Sequence, residues 1–236
     1  MRDKKINAFT LPEVLITLAI IGIVAAMTIP TLITNIQDRQ FRVKFKQSIS
    51  IVAQAMKTVY AESDETYTST GWLQMPVYFC KLEKRLKVMN SGIDCTKVND
   101  DAIYKSSSEW PYSNDGTRWH SDKKWYDKNG IPQSLNAAYS RLTIDLINGT
   151  RINFNCVDHI FIDVNGDKGP NTIGRDIYIM NFEDGATSPN LSLNNSFRAN
   201  VCSHGNGSST TPLLNSKNYV EDCLHGSGWG CSFMLN

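Results

Sequence analysis

AFTLPEVLITLAIIGIVAAMTIP, residues 8–30, is the stretch from which the rest of the chain is read. No charged residue stands between Glu13 and Asp38. As a helix rising about 1.5 Å per residue, that run reaches roughly 36 Å, enough to cross a hydrocarbon core of about 30 Å with a little tilt. Arg2, Lys4 and Lys5 precede it, opposed only by Asp3. The positive-inside rule therefore leaves the N-terminus in the cytoplasm and sends the remainder across in a single pass.

Three readings compete for this segment. A secretory signal peptide needs a small-residue cleavage site after an apolar core of about 7 to 15 residues. Here the apolar stretch runs on to Ile29-Pro30-Thr31, and Ala25-Ala26 is a poor site. A plain signal anchor fits the length and charge but gives Glu13 no role beyond local helix chemistry. That chemistry is real: Thr10-Leu11-Pro12-Glu13 has the form of a capping box, with Thr10 as N-cap, Pro12 in the first turn and Glu13 reaching back to an orphan amide at the positive end of the helix dipole.

The third reading accounts for the short basic leader, the aromatic Phe9 and the acid abutting a membrane span together. The stretch resembles the leader and helix of type IV pilins and type II secretion pseudopilins. The resemblance implies that a prepilin peptidase cuts between Ala8 and Phe9 and that the new amino group of Phe9 is methylated. Glu13 then becomes the fifth residue of the mature chain, where the family carries its characteristic glutamate. Pro30 falls where many pilins have a proline that kinks or loosens the helix. One departure stands out: the family usually has glycine before the cut, and this chain has Ala8. An acid in a membrane is costly and tends to be paired. The family supplies the pair, since its glutamate is thought to neutralise the N-terminal amine of a neighbouring subunit, making Phe9 and Glu13 reciprocal attachment points. The partners so implied are the prepilin peptidase, other pilin or pseudopilin subunits, an inner-membrane assembly platform and the membrane itself. The implied location is the bacterial inner membrane before assembly into a periplasmic or cell-surface filament.

Past residue 36 the apolar surround narrows to a stripe. Phe41, Phe45, Ile49, Val52, Met56 and Val59 recur at spacings of three and four, with Arg39, Arg42, Lys44, Lys46 and Lys57 between them. The expected organisation is a leader over 1–8, a membrane and filament-core helix over 9–36, an amphipathic continuation over 37–63 and an extracytoplasmic domain over 64–236. Residues 64–139 are dense in aromatics with Gly and Pro punctuation. They read as irregular structure with short elements, the aromatics filling the core of a small domain.

Leu142, Ile144 and Leu146 alternate with polar residues, Asn148-Gly149 turns the chain, and Ile152, Phe154 and Cys156 alternate on the return. The expectation is a β-hairpin with a two-residue I′ loop. Further strands near His159–Asp163 and over 176–182 extend it into an antiparallel meander. The fold class is thus α+β, a long N-terminal helix on an antiparallel sheet, followed by a disulfide-linked tail.

Between the last two strands lies DVNGDKGPNTIGRD, residues 163–176. Asp163, Asn165 and Asp167 at alternate positions suit a hard cation such as Ca²⁺, although Gly166 comes one place early for an EF-hand and the terminal glutamate is missing. The competing reading is a turn in which Asn and Gly take left-handed conformations and Pro170 sets one φ. The loop resembles one found in many bacterial pilin-like proteins, and some pseudopilins hold calcium in a nearby loop. No cofactor is required by any motif, and Ca²⁺ is the ion this loop suggests.

Six cysteines, Cys80, Cys95, Cys156, Cys202, Cys223 and Cys231, are present and none forms a CxxC pair. Disulfides are expected, placing the bulk of the chain outside a reducing cytosol. Cys223 with Cys231 closes a short loop. A rival is a zinc site from Cys202, His204, Cys223 and His225. The tail over 183–236, rich in Ser, Asn and Gly, is expected to need cross-links because burial alone does not offset its ordering entropy.

A formal net charge of +1 over 236 residues and the absence of a basic stripe argue against nucleic acid as a partner. The length suits one domain with an appendage. Only four histidines occur (His120, His159, His204, His225), none in HExxH. No GxSxG elbow and no GxxxxGK[ST] loop is found, so the reading is not an enzyme. The expected function is that of a structural subunit, a minor pilin or pseudopilin. The alternative is a signal-anchored extracytoplasmic protein that binds sugar or Ca²⁺ and does not polymerise.

Overall fold

The computed structural model describes residues 10–66, 71–114, 118–120, 124–133, 139–155, 159–181, 197–198, 213–214 and 217–235. Two compact units divide the chain, residues 1–40 and 41–236. The first helix, α1 (Leu11–Ser63), supplies the described part of the first unit and the opening element of the second. In the first unit its apolar side chains, among them Leu15, Ile21 and Leu32, are exposed all round. That pattern marks a helix whose surroundings are lipid or other helices. The helix passes unbroken through Pro30. Thr28 and Thr34 donate their hydroxyls to the carbonyls of Val24 and Pro30, at 2.9 and 3.0 Å, keeping these polar groups bonded within the helix.

In the second unit α1 buries Phe41, Phe45, Ser48, Val52, Ala55, Met56 and Val59. Ile49, expected in the stripe, is half-buried at its edge, and Ser48 takes the central position by donating to the Lys44 carbonyl at 2.8 Å. A second helix, α2 (Met75–Glu83), occupies part of the region expected to be irregular. Seven of its nine residues are buried. A helix enclosed on every side has no polar face, so it carries no periodic signature. A disulfide joins Cys80 on α2 to Cys95, in a one-turn helix whose N-cap Asp94 accepts the Thr96 amide.

Strands β1 (Val88–Ser91), β2 (Trp125–Tyr126), β3 (Pro132–Gln133), β4 (Thr143–Leu146), β5 (Arg151–Asn155), β6 (His159–Asp163) and β7 (Ile177–Asn181) follow. β2 and β3 form a small ribbon, and the main sheet runs β1-β4-β5-β6-β7, antiparallel throughout. A further pair, β8 (Phe197–Arg198) with β9 (Leu213–Leu214), precedes a short helix, α3 (Tyr219–His225). The meander from β4 to β7 is as the alternation predicts. β1 is an added edge strand, too short and too polar to be read from the sequence.

The hairpin loop differs from expectation. Ile144 stands opposite Ile152 and Thr143 opposite Asn153. Leu146 N–H donates to the Thr150 carbonyl at 2.8 Å, and Gly149 N–H donates to the Leu146 carbonyl at 2.9 Å. Three residues therefore make the loop, and Gly149 alone is left-handed, at φ 82°. A type I turn followed by a left-handed glycine replaces the I′ turn. The apolar alternation required this: a two-residue loop would slip the register by one and turn Ile144 away from Ile152.

The sheet is buried on both faces. On one, Ile152, Phe154, Ile160, Ile162, Tyr178 and Met180 meet α1 and α2. Phe45 stacks on Tyr178 at 4.4 Å between ring centroids, and Phe79 meets Phe154 edge-on at 5.4 Å. On the other, Phe161, Ile177 and Ile179 lie under Trp119, Trp125, Trp229 and Phe233. The aromatics thus fill core, as expected. The tail carries the expected cross-link, between Cys223 and Cys231, and burial adds to it: a little over two turns of tight helix, Trp229–Leu235, bury Trp229 and Phe233, and Ser232 Oγ accepts the Ile179 amide at 2.8 Å.

Candidate functional site

The helix start forms around Thr10 and Glu13. The Thr10 amide and hydroxyl both donate to Glu13 Oε2, at 2.9 and 2.8 Å, and Val14 N–H donates to the Thr10 carbonyl at 3.2 Å. This is the reach-back half of a capping box, with the hydroxyl turned to donate to the acid. Glu13 is exposed and points its charge at the amide one residue beyond Phe9. Ala8 and Phe9 lie outside the described residues. α1 is the one helix among the described residues long and apolar enough to cross a membrane.

Residues 3–29 match the family model described as the prokaryotic N-terminal methylation motif. The chain carries the prepilin-type signature. This prepilin-type motif is shared by type IV pilins and pseudopilins, and it supports a subunit of that general kind, a structural protein rather than an enzyme. It implies processing by prepilin peptidase and assembly with other pilin subunits. Together with the long apolar helix it points to membrane anchoring. No curated protein and no solved structure matches the chain.

The second candidate, the loop over 163–176, has the geometry of a turn. Asp163 Oδ1 accepts the amides of Asn165 and Gly166 at 3.0 and 2.9 Å, and Gly166 and Asn171 are left-handed, at φ 63° and 54°. Asp163 Oδ2 lies 2.9 Å from His120 Nε2, both side chains fully buried. Asp167 points to Arg151, its Oδ1 2.5 Å from Nη1, while Arg151 Nε donates to Asp145 at 2.7 Å. Asn165 Nδ2 donates to the Gly169 carbonyl at 3.1 Å. Asp163 Oδ1 is thus committed to turn amides and Asp167 to Arg151, whereas Asp163 Oδ2, although close to His120, and buried Asn165 Oδ1 have no hydrogen-bond partner among the described residues. Among the described residues no group of three His, Cys, Asp or Glu is placed to hold a metal.

Sequence reading missed the polar ladder that anchors this loop. Asp145 stands opposite Arg151, and Arg151 opposite Asp163, across three strands. Cross-strand neighbours of opposite charge stabilise one another, and here they share the sheet face that Trp119 and Trp125 cover nearby. Burial works against the Arg151 charge, yet the carboxylates of Asp145 and Asp167 outweigh it and push its pKa up. Burial also pushes the Asp163 carboxyl up, against the opposing bond to His120. The signal lay in the alternation of Asp145, Arg151 and Asp163 on the positions between the apolar ones.

Cys223 is bonded to Cys231. That removes Cys223 from the zinc set, because a disulfide sulfur is not a thiolate ligand. His225 is exposed on α3, and Cys156, Cys202 and His204 lie outside the described residues.

Proposed function

We propose that this chain is a minor pilin or pseudopilin, cut between Ala8 and Phe9, methylated on Phe9 and assembled into a filament through α1. The observation that carries the reading is the methylation motif over residues 3–29. Before assembly the helix sits in the inner membrane with its leader in the cytoplasm, and an assembly platform there moves it into the filament. Glu13 is the hinge of the mechanism. In the single chain its carboxylate takes two bonds from Thr10 at the helix start. On assembly it exchanges that local cap for the amine of the neighbouring Phe9, a stronger charge-assisted bond. Apolar side chains that faced lipid then face other helices. Ca²⁺ at Asp163, Asn165 and Asp167 is not part of this reading, since Asp167 is paired with Arg151 and Asp163 Oδ1 accepts turn amides.

Mass spectrometry of the mature N-terminus tests the proposal. The expected terminal residue is N-methyl-Phe9. Retention of residues 1–8 in cells with an active peptidase, or a cut near Ala26, overturns it.

A further inference from the structure

Between Val14 and Ile36 the polar side chains of α1 are Thr17, Thr28, Thr31, Thr34 and Asn35. Successive residues of a helix turn by about 100°, so Glu13, Thr17, Thr28, Thr31 and Asn35 fall within one arc of about 60°. Val24 is the arc's one apolar member, and Thr34 is the one polar residue of this stretch outside it. The arc lies wholly within the first unit, and its residues are exposed.

A hydroxyl in lipid needs a partner, and each threonine of the arc finds one in its own helix. Thr17 donates to the Glu13 and Val14 carbonyls at 3.0 and 2.9 Å, Thr28 to Val24 at 2.9 Å and Thr31 to Thr28 at 2.8 Å. Such self-bonding serves a threonine on any face, so it leaves their gathering on the Glu13 arc unexplained. Each hydroxyl oxygen can still accept a further bond, for which lipid tails supply no donor and an asparagine amide supplies two.

We propose that Glu13, Thr17, Thr28, Thr31 and Asn35 form a polar seam along which α1 receives the same helix of a second copy, displaced by four residues. The proposal rests on the reading of Glu13 and Phe9 as attachment points. That pairing itself sets the displacement, roughly 6 Å along the axis. With the two helices parallel, the second copy's Phe9 amine meets Glu13, its Glu13 meets Thr17 and its Thr31 meets Asn35. Thr31 Oγ then accepts from the Asn35 amide while keeping its own proton on the Thr28 carbonyl. An undisplaced pair would instead oppose the two Glu13 carboxylates, which repel. Apolar faces are equally at ease against lipid tails, so packing and interhelical hydrogen bonds of this kind decide which face is used. A different helix is the rival occupant. The spacing of four that recurs at Glu13 with Thr17 and at Thr31 with Asn35 favours a copy of the chain itself, because one displacement serves both pairs.

The test uses the full chain in membranes of cells that process it. Photo-reactive benzoylphenylalanine is placed at Val24, on the arc, or at Ile33, on the opposite side of the helix. Adducts formed on irradiation are identified by mass spectrometry. The expected product is a homodimer from the Val24 probe and little from the Ile33 probe. Thr31→Val and Asn35→Leu should each lower the Val24 yield roughly threefold, the double variant no further than either alone, and Thr34→Val not at all. Equal yields from the two probes, or a yield that Thr31→Val and Asn35→Leu leave unchanged, overturn the seam. An adduct to a different protein in place of the homodimer overturns the second copy as occupant. The mature N-terminus, read on the same sample, separates the two levels. N-methyl-Phe9 alongside any of those outcomes sinks the seam alone, whereas retention of residues 1–8 removes the attachment reading and the seam with it.

Discussion

Asp176 has both carboxylate oxygens committed, Oδ2 accepting the Asn171 amide at 2.8 Å and Oδ1 the Thr172 amide at 2.7 Å. Burial and then the neighbouring Asp163 charge raise its pKa to about 6. An unfolded aspartate titrates near 3.9, so the native state holds this proton more tightly. Its contribution to stability is fully present below about pH 4 and is lost as pH rises through about 6, on the order of 3 kcal/mol. Thermal melts of the full chain in detergent should therefore show stability falling from pH 4 toward 7, and Asp176→Asn should flatten that slope. A variant with the wild-type slope would show that the proton is held elsewhere. At this scale the sequence offered residues 163–176 as a turn or a cation loop, and the backbone there makes a turn. It did not reveal that His120 closes on Asp163 or that Arg151 closes on Asp167, because those partners come from other strands and loops.

The β4–β5 hairpin is legible because its apolar alternation is local, and its loop type follows once the register is respected. Gly149, at φ 82°, has no heavy atom within 4 Å of where a Cβ would stand. Replacing it with Ala should therefore cost only the left-handed backbone penalty, about 1 kcal/mol. Gly149→Asn should cost less, since Asn tolerates that conformation better. Urea denaturation of both variants checks this, and a loss several times larger would mean the loop is an I′ turn after all or is packed against something. α2 and the final tight helix were not legible for a shared reason. Met75, Tyr78, Phe79 and Leu82, like Trp229 and Phe233, are buried among residues distant in sequence. Enclosure on several sides erases the polar and apolar rhythm that marks an amphipathic element.

At the scale of the molecule, the reading turns on whether α1 carries subunits into a filament. Glu13→Ala should leave the chain inserted in the membrane while lowering its incorporation into sheared filaments by about tenfold or more, the carboxylate partner of the neighbouring amine being gone. Equal incorporation of mutant and wild type would rule out the pairing. The long apolar run, its charged flanks, the motif around Phe9 and Glu13 and the β4-to-β7 meander were determined by sequence alone, because each is a pattern over neighbouring residues with a fixed geometric period. Only the tertiary structure decided that the sheet is covered on both faces, that Cys80 meets Cys95, and that the loop acids Asp167 and Asp163 stand against Arg151 and His120. Those outcomes depend on which distant side chains compete for the same buried space and charge, and no local period encodes that competition.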